Sequence, residues 1–445
     1  MEPKRTARGA DRRRFLKNGA SLAGLVMASS GAIPLLEQPI LGQAPPLGAG
    51  NATDEMNGIA WNLYGRRSRF VTTNRLIRTE SHIDPLLRLQ PMPNPHRPEN
   101  LSPIDEQMGI ITPSALHYTT NHYYGIPDID PADHKLIIHG LVDRELVFTL
   151  DDLKRLPYIT RIQFIECDGN RPNPNGNSVV QTHGRVSCSE WTGVPLSVLF
   201  NEAGIKNGAS WIVAEGAESG KHQMSVPLSR ALDDVIVAYG QNGEPVRPDQ
   251  GFPMRLLVPG VQGIINVKWL RRIKVTNQAY HGHRDDLNGY LQNPAVRDTR
   301  FGPKSVITFP SANQRLPGPG FYVISGLAWS GGGAIRTVEV STDGGKTYKT
   351  ADIVGPRLPI AMTKFALPWQ WGGEEALLQS RCVDETGEVQ PTEAEFARYW
   401  KLTRQQLYRQ MTRLGHCNWI QPWRLSSNGV TTNGLEPVAE VADHG

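Results

Sequence analysis

The sequence predicts an α+β chain of two folded modules, a mixed α/β module followed by an all-β sandwich, on three observations. Between residues 109 and 303, short alternating apolar runs are interspersed with capped, helix-periodic pieces. Beyond residue 304 the periodicity is that of strands alone, spaced as in a sandwich. The 44 Gly and 34 Pro among 445 residues favour loops and strands over helical bundles. Apolar residues at 39% and charged residues at 20% suffice for real cores and exclude wholesale disorder. The formal charge is only +4, from 47 Lys+Arg against 43 Asp+Glu, and the basic residues are scattered. With aromatic residues at 7%, that balance argues against a nucleic-acid partner.

Taken in order, Arg12-Arg13-Arg14-Phe15-Leu16-Lys17 resembles the twin-arginine export signal. The apolar stretch that follows, Ala20 to Pro34, is too short and too interrupted to span a bilayer. Residues 1–44 are therefore expected to be an export leader. What the signal implies is a chain exported already folded around its cofactor, soluble in the periplasm, with no membrane span in its mature form. An oxidising destination makes the four cysteines informative. Cys167, Cys188, Cys382 and Cys417 form no CxxC or CxxCH, which argues against a zinc ribbon, an iron–sulfur site and covalent haem on this chain. Two disulfides in any of three pairings, buried thiols or a metal ligand all stay open at this point.

Residues 45–108, rich in Pro, Asn and Arg, read as an extended lead-in draped over a domain surface. From Gly109 the pattern tightens. Lys135–His139 and Glu145–Phe148 read as strands, and Thr149 followed by Asp151 and Asp152 opens a helix. Arg161–Glu166 alternates as a strand that runs into the loop Cys167-Asp168-Gly169-Asn170. Residues Pro195–Ala203 form an amphipathic helix ended by Gly204, and a helix-like piece, Pro227–Leu232, precedes the strand Val235–Tyr239.

Residues 304–430 read as an immunoglobulin-like sandwich. Its strands are expected at Phe321–Gly326, Ile335–Ser341, Thr347–Thr350 and Leu377–Arg381, with Asp343-Gly344-Gly345 as a hairpin turn. Trp369 and Trp371 should pack this core. A charged helix is expected over Arg404–Leu414, and residues 431–445 as a loose tail.

The chemistry starts at Phe164-Ile165-Glu166-Cys167-Asp168-Gly169-Asn170-Arg171. A strand that delivers a thiol onto a glycine-containing loop exposes a soft metal ligand, and Arg171 nearby would favour its ionisation. Three segments add to it: Leu116-His117-Tyr118-Thr119-Thr120-Asn121-His122; Gly251-Phe252-Pro253-Met254-Arg255 leading to Asn266-Val267-Lys268-Trp269; and Gly326-Leu327-Ala328-Trp329-Ser330-Gly331-Gly332-Gly333. Together these resemble the sulfite oxidase family of molybdenum enzymes, over about residues 105–430. The resemblance implies a molybdopterin-binding domain at 109–303 and an immunoglobulin-like dimerisation domain at 304–430, hence a homodimer. It implies molybdenum held by a pyranopterin, with Cys167 as the protein ligand. Asn121, His122, Gln250, Arg255, Asn266, Val267 and Lys268 are the implied cofactor contacts, Arg255 and Lys268 serving the pterin phosphate and ring. Arg171 matches a family arginine, and Tyr290 is the candidate for the family's active-site tyrosine.

Two further segments, Thr182–Leu196 and Ala376–Thr392, resemble the sulfane dehydrogenase (SoxC-type) branch of that family. That branch implies oxidation of sulfane sulfur held on a carrier protein, with electrons passed to a separate c-type cytochrome. The mechanism implied is oxygen-atom transfer, refilled by water. Sulfite oxidases place arginines where this chain has Thr120 and Pro172, and a third, near the C-terminus, falls around Gln421-Pro422. The alternatives are a sulfite dehydrogenase, a sulfoxide reductase of the same family, or a cofactor-less binding module. Other residues read blandly: His281-Gly282-His283 as a solvated loop, His139 and His183 as structural, Cys188 and Cys382 as core thiols, and Cys417 as a neighbour of the cofactor rim.

Overall fold

The computed structural model describes residues 67–68, 70–78, 99–123, 125–280, 300–411 and 414–438. The leader, Tyr290 and His281-Gly282-His283 lie outside the described residues.

Two five-stranded sheets build the first module. One runs Glu244–Pro245, Ile236–Gln241, Val186–Pro195, Ile159–Glu166, with Arg255–Leu257 also paired to Ile236–Gln241, every pair antiparallel. The other runs Leu146–Phe148, Leu136–Gly140, Leu270–Thr276, Trp211–Gly216, Gln223–Pro227, with one parallel pair between Leu136–Gly140 and Leu270–Thr276. The helices lie where the caps direct them. Thr149 and Asp152 close a reciprocal capping box on the helix Leu150–Lys154. The helix Leu196–Ala203 buries Leu196, Leu199, Phe200 and Ala203 and ends at Gly204, whose φ of 69° suits a residue without a Cβ. Strands Trp211–Gly216 and Gln223–Pro227 escape a reading by alternation because Ile212, Val213 and Ala214 are all buried, so both faces are apolar.

The second module is a sandwich of two antiparallel sheets. One orders Lys304–Phe309, Gly320–Trp329, Thr363–Trp371, Asp352–Val354; the other orders Lys349–Thr350, Ile335–Ser341, Ala376–Asp384, Trp423–Leu425, Thr431–Asn433. Val338 and Val340 are buried between them, as are Trp329, Phe365 and Trp371. The expected loose tail is corrected in part: Thr431–Asn433 pairs with Trp423–Leu425, and Thr431 is buried. The charged helix stops at Gln410.

The modules share a core rather than meeting at polar surfaces. Leu101, Ile104, Phe164, Val179, Val180 and Val186 join the sandwich residues in one apolar cluster. The lead-in is thus not merely draped: Glu99–Leu101 is a buried strand paired with Leu76–Arg78. Where the modules touch by backbone, glycine is required at both sides. A Cβ on Gly260 would stand 2.6 Å from the Gly331 carbonyl oxygen, and one on Gly331 would stand 2.2 Å from that of Gly260. Among the described residues no helix is long and apolar enough to cross a membrane.

Candidate active site

Cys167 follows the last residue of the strand Ile159–Glu166. Its N–H donates to the Arg185 carbonyl at 3.0 Å and its carbonyl accepts from Asn170 at 2.9 Å, which turns the chain sharply and leaves the thiol half-buried. Burial pushes the thiol pKa up, and the Asp168 carboxylate, 3.3 Å from Sγ, adds to this. Arg171, expected to favour ionisation, does not serve this thiol. Its N–H donates to the Thr182 carbonyl, and its charge acts on Cys417, which burial raises to about 12. All four cysteines are free thiols, and Cys188, Cys382 and Cys417 are buried.

Facing the thiol is a set of cations. Arg255 begins the strand Arg255–Leu257 and is buried; Nη1 donates to the Gln250 carbonyl at 2.8 Å and Nη2 to the Asn266 carbonyl at 3.0 Å. The Trp191 ring lies 5.2 Å from its guanidinium carbon. Asn266 fixes the turn beside it, accepting from the Val258 N–H at 2.7 Å and donating to the Gln262 carbonyl at 3.2 Å. Lys268 Nζ donates to the Asp249 carbonyl at 3.0 Å and to the Asn121 side-chain oxygen. Gly251, at φ 109°, brings its backbone against the Lys268 side chain, where a Cβ would stand 3.0 Å from Lys268 Cβ.

Desolvation marks both cations. Burial lowers Arg255 to about 10 and Lys268 to about 7, and Arg255 repels Lys268 further. Among the described residues neither has an ion-pair partner; carbonyl oxygens hold them in place.

One cleft of about 690 Å³, counted to its open mouth, is lined by Asn121, His122, Cys167, Gln250, Arg255, Asn266 and Lys268. Val267 sits among them in sequence, but its side chain is buried in the core beneath. Arg171 does not line the cleft, and Tyr290 falls outside the described residues. The structure adds residues that the sequence reading passed over: His117, Tyr118, Glu218 and His222 share the wall. Glu218 accepts from the His222 N–H at 2.7 Å, and burial raises its pKa. His117 is lowered to about 3 by burial and is neutral at working pH. Glu218 and His222 come from a loop between two strands with no motif to mark them.

A molybdopterin fits these residues. Among the described residues Arg255 Nε, Asn121 Nδ2, Thr120 Oγ1 and His117 Nε2 are buried with no hydrogen-bond partner, a donor-rich stretch of a wall on which Glu218 is the acid. Two desolvated cations suit a phosphate. No three His, Cys, Asp or Glu side chains converge among the described residues, so a lone thiolate suits a metal whose other ligands arrive with the cofactor.

The comparisons agree with that donor set. The family described as "Oxidoreductase molybdopterin binding domain" matches residues 123–284, and "Mo-co oxidoreductase dimerisation domain" matches residues 298–408. A chain of the crystal structure of the sulfane dehydrogenase SoxCD from Paracoccus pantotrophus is 36% identical, with a TM-score of 0.73, covering 91% of this chain and 99% of that one. The chain belongs to the sulfite oxidase family of molybdenum oxidoreductases. Mitochondrial sulfite oxidase of Mus musculus is 32% identical over 69% of this chain, and an NADH nitrate reductase of Solanum lycopersicum is 35% identical over 59%. The chain spans 62% of the mouse enzyme's length and 33% of the tomato enzyme's. Within the sulfite oxidase family it is SoxC-like.

Proposed function

We propose that the protein is a periplasmic molybdenum oxidoreductase that oxidises sulfane sulfur held on a carrier protein and passes electrons to a c-type cytochrome. Export by the twin-arginine route and a homodimer made through residues 298–408 belong to the same reading. The observation that carries it is where the charges lie. The cleft's cations, Arg255 and Lys268, are committed to backbone carbonyls at one end, while Thr120 and Pro172 stand where sulfite oxidases place arginines. Pro172 is buried, and Gln421, near the third such position, spends its amide on Pro422 and Asn433. Each missing charge-assisted contact weakens capture of a small dianion by about 1–3 kcal/mol. A sulfur tethered to a carrier gains its binding energy elsewhere and needs fewer charges at the mouth.

In this reading Cys167 holds the metal through its sulfur. Arg255 and Lys268 hold the phosphate, and the Gly263–Asn266 turn and Asn121 orient the ring with backbone and amide donors. When bound, the molybdenum cofactor supplies two-electron oxygen exchange with the substrate sulfur. Glu218 and His222 give the cleft wall groups that can take up the protons released when water is consumed.

Turnover decides between substrates. The protein loaded with molybdenum should oxidise a thiosulfate-charged carrier with cytochrome c far faster than free sulfite. Fast sulfite turnover with no need of a carrier would replace this reading by a sulfite dehydrogenase, which the mouse relative favours. Folded protein that takes up no molybdenum from a competent host would leave only a binding module.

A further inference from the structure

Directly behind the thiol loop lies a buried polar node built by the second module. Glu166, the residue before Cys167, and Lys304, from the strand Lys304–Phe309, are both fully buried and stand 2.5 Å apart. Lys304 Nζ also donates to the Asn170 carbonyl at 2.6 Å. Asn170 returns a bond from Nδ2 to Glu166 at 2.8 Å, and Trp329 Nε1 donates to the other Glu166 oxygen at 2.8 Å. Further along, Asn433 Nδ2 donates to the Asn173 and Gly176 carbonyls at 2.7 and 2.9 Å. Gln421 in turn holds Asn433 by its Oδ1 at 2.9 Å. Lys304, Trp329, Gln421 and Asn433 all belong to the second module.

Burying an ion pair is a poor way to gain stability, since an apolar pair of the same volume does as well or better. What the pair fixes is geometry. Lys304 reaches across the module boundary to two points that bracket Cys167, the side chain before it and the carbonyl three residues after it. Asn433 then holds the rest of the loop, up to Gly176. The first module contributes Arg185 to Gly169 and Thr182 to Arg171, so each stretch of the loop is gripped from both sides.

We propose that Lys304 and Asn433 are positioning residues, through which the second module sets the conformation of the loop presenting Cys167. The inference rests on reading Cys167 as the metal ligand, but its first test does not need the metal. In metal-free protein, iodoacetamide with peptide mapping reads each thiol separately, and buried Cys188, Cys382 and Cys417 are internal controls. Lys304→Met alone leaves Glu166 as an uncompensated buried charge, so the informative variants are Glu166→Gln/Lys304→Met and Asn433→Ala. Both should change the Cys167 alkylation rate about tenfold or more while the other three thiols stay protected. Ser380→Ala, which removes a hydrogen bond of 2.9 Å to Ser305 beside Lys304 but none of the loop's own contacts, should change nothing. In the molybdenum-loaded protein the two informative variants should shift the Mo(V) paramagnetic resonance signal and lower kcat by about 10–100-fold, again unlike Ser380→Ala.

Unchanged alkylation of Cys167 and an unchanged signal in both variants would overturn the proposal. So would all four thiols reacting together, because that is loss of fold rather than of position. A Cys167→Ser protein that kept its molybdenum with an unchanged metal spectrum would instead sink the ligand reading, leaving the alkylation result to decide the positioning role by itself.

Discussion

The two ends of the cleft are built on opposite plans. The cation end is self-contained: Arg255, Asn266 and Lys268 are held by carbonyls and amides of the first module, within about twenty residues of one another except for Thr120 and Asn121. The thiol end is assembled across the molecule, its loop gripped by Lys304 and Asn433 from the second. The difference teaches that the second module reaches into the thiol end of a cleft otherwise built by the first. Removing a cation should impair cofactor capture and little else, whereas loosening the thiol end should disturb the chemistry in a protein that still binds its cofactor.

The largest contrast comes from the two anchor residues. Cys167→Ser should lose activity by more than the hundredfold typical of a supporting residue, with molybdenum content or its spectrum altered while the pterin is still bound. Arg255→Met should do the reverse and yield protein lacking pterin altogether, since removing one partner of a buried charged contact costs about 2–5 kcal/mol. Pterin fluorescence after acid release and elemental analysis separate the two outcomes. If both variants lost pterin equally, the ends would not be independent.

Stability sharpens the contrast next. Lys304→Met should destabilise the protein by about 3–5 kcal/mol, because a fully buried Glu166 is left without its counter-charge. That corresponds to a fall in Tm of roughly 10 °C. Adding Glu166→Gln should recover most of it, and calorimetry of the three proteins is the check. No recovery would mean that the hydrogen bond to Asn170, rather than the charge, carries the energy.

The same asymmetry decided what could be read from sequence. The cation end lies on two short segments whose glycine, arginine and lysine spacing carries the family resemblance, and the structure gathers Gln250, Arg255, Asn266 and Lys268 at one cleft wall. Val267 buries its side chain in the core, so any contact it offers the cleft would be through backbone, which leaves no mark on a side chain. Lys304 and Asn433 are invisible to such reading. A lysine opening a strand looks like a solvated residue, and only the fold reveals it as fully buried. The tail failed for a related reason, as Thr431–Asn433 lacks apolar alternation and is a strand only because Trp423–Leu425 offers it an edge. Arg171 shows the limit of neighbourhood in sequence: four residues from the thiol, its charge acts on Cys417 instead. The sandwich strands were legible because their two faces differ, and the strands apolar on both faces were not.

Charge at the mouth offers a smaller effect. Thr120→Arg places a guanidinium where sulfite oxidases have one, in place of a buried hydroxyl that has no hydrogen-bond partner among the described residues. One charge-assisted contact should lower the KM for sulfite by about tenfold and leave carrier-bound turnover unchanged or slower, as steady-state kinetics on both substrates would show. Equal gains on both would mean that the missing arginines do not govern substrate choice.

The smallest effect near neutral pH is in the pH dependence of the cation end, and its sign follows from Lys268. In the metal-free cleft burial and the nearby Arg255 lower its pKa to about 7, against the opposing pull of Asp249 and Glu218. Above pH 7 the ammonium therefore gives up its proton, and an anionic phosphate entering the cleft must draw one back. Cofactor affinity should be flat below pH 7 and fall as pH rises above it, by up to about tenfold per unit until the pKa of the bound state is reached. A Lys268→Arg protein, charged throughout, should bind with little change over pH 6–9, and Lys268→Met should be equally flat but weaker. The thiol end supplies the control, because Glu166→Gln/Lys304→Met leaves Lys268 in place and should keep the wild-type slope. A slope that vanished in that variant instead would mean that the two ends titrate as one site and that the division between them is not real.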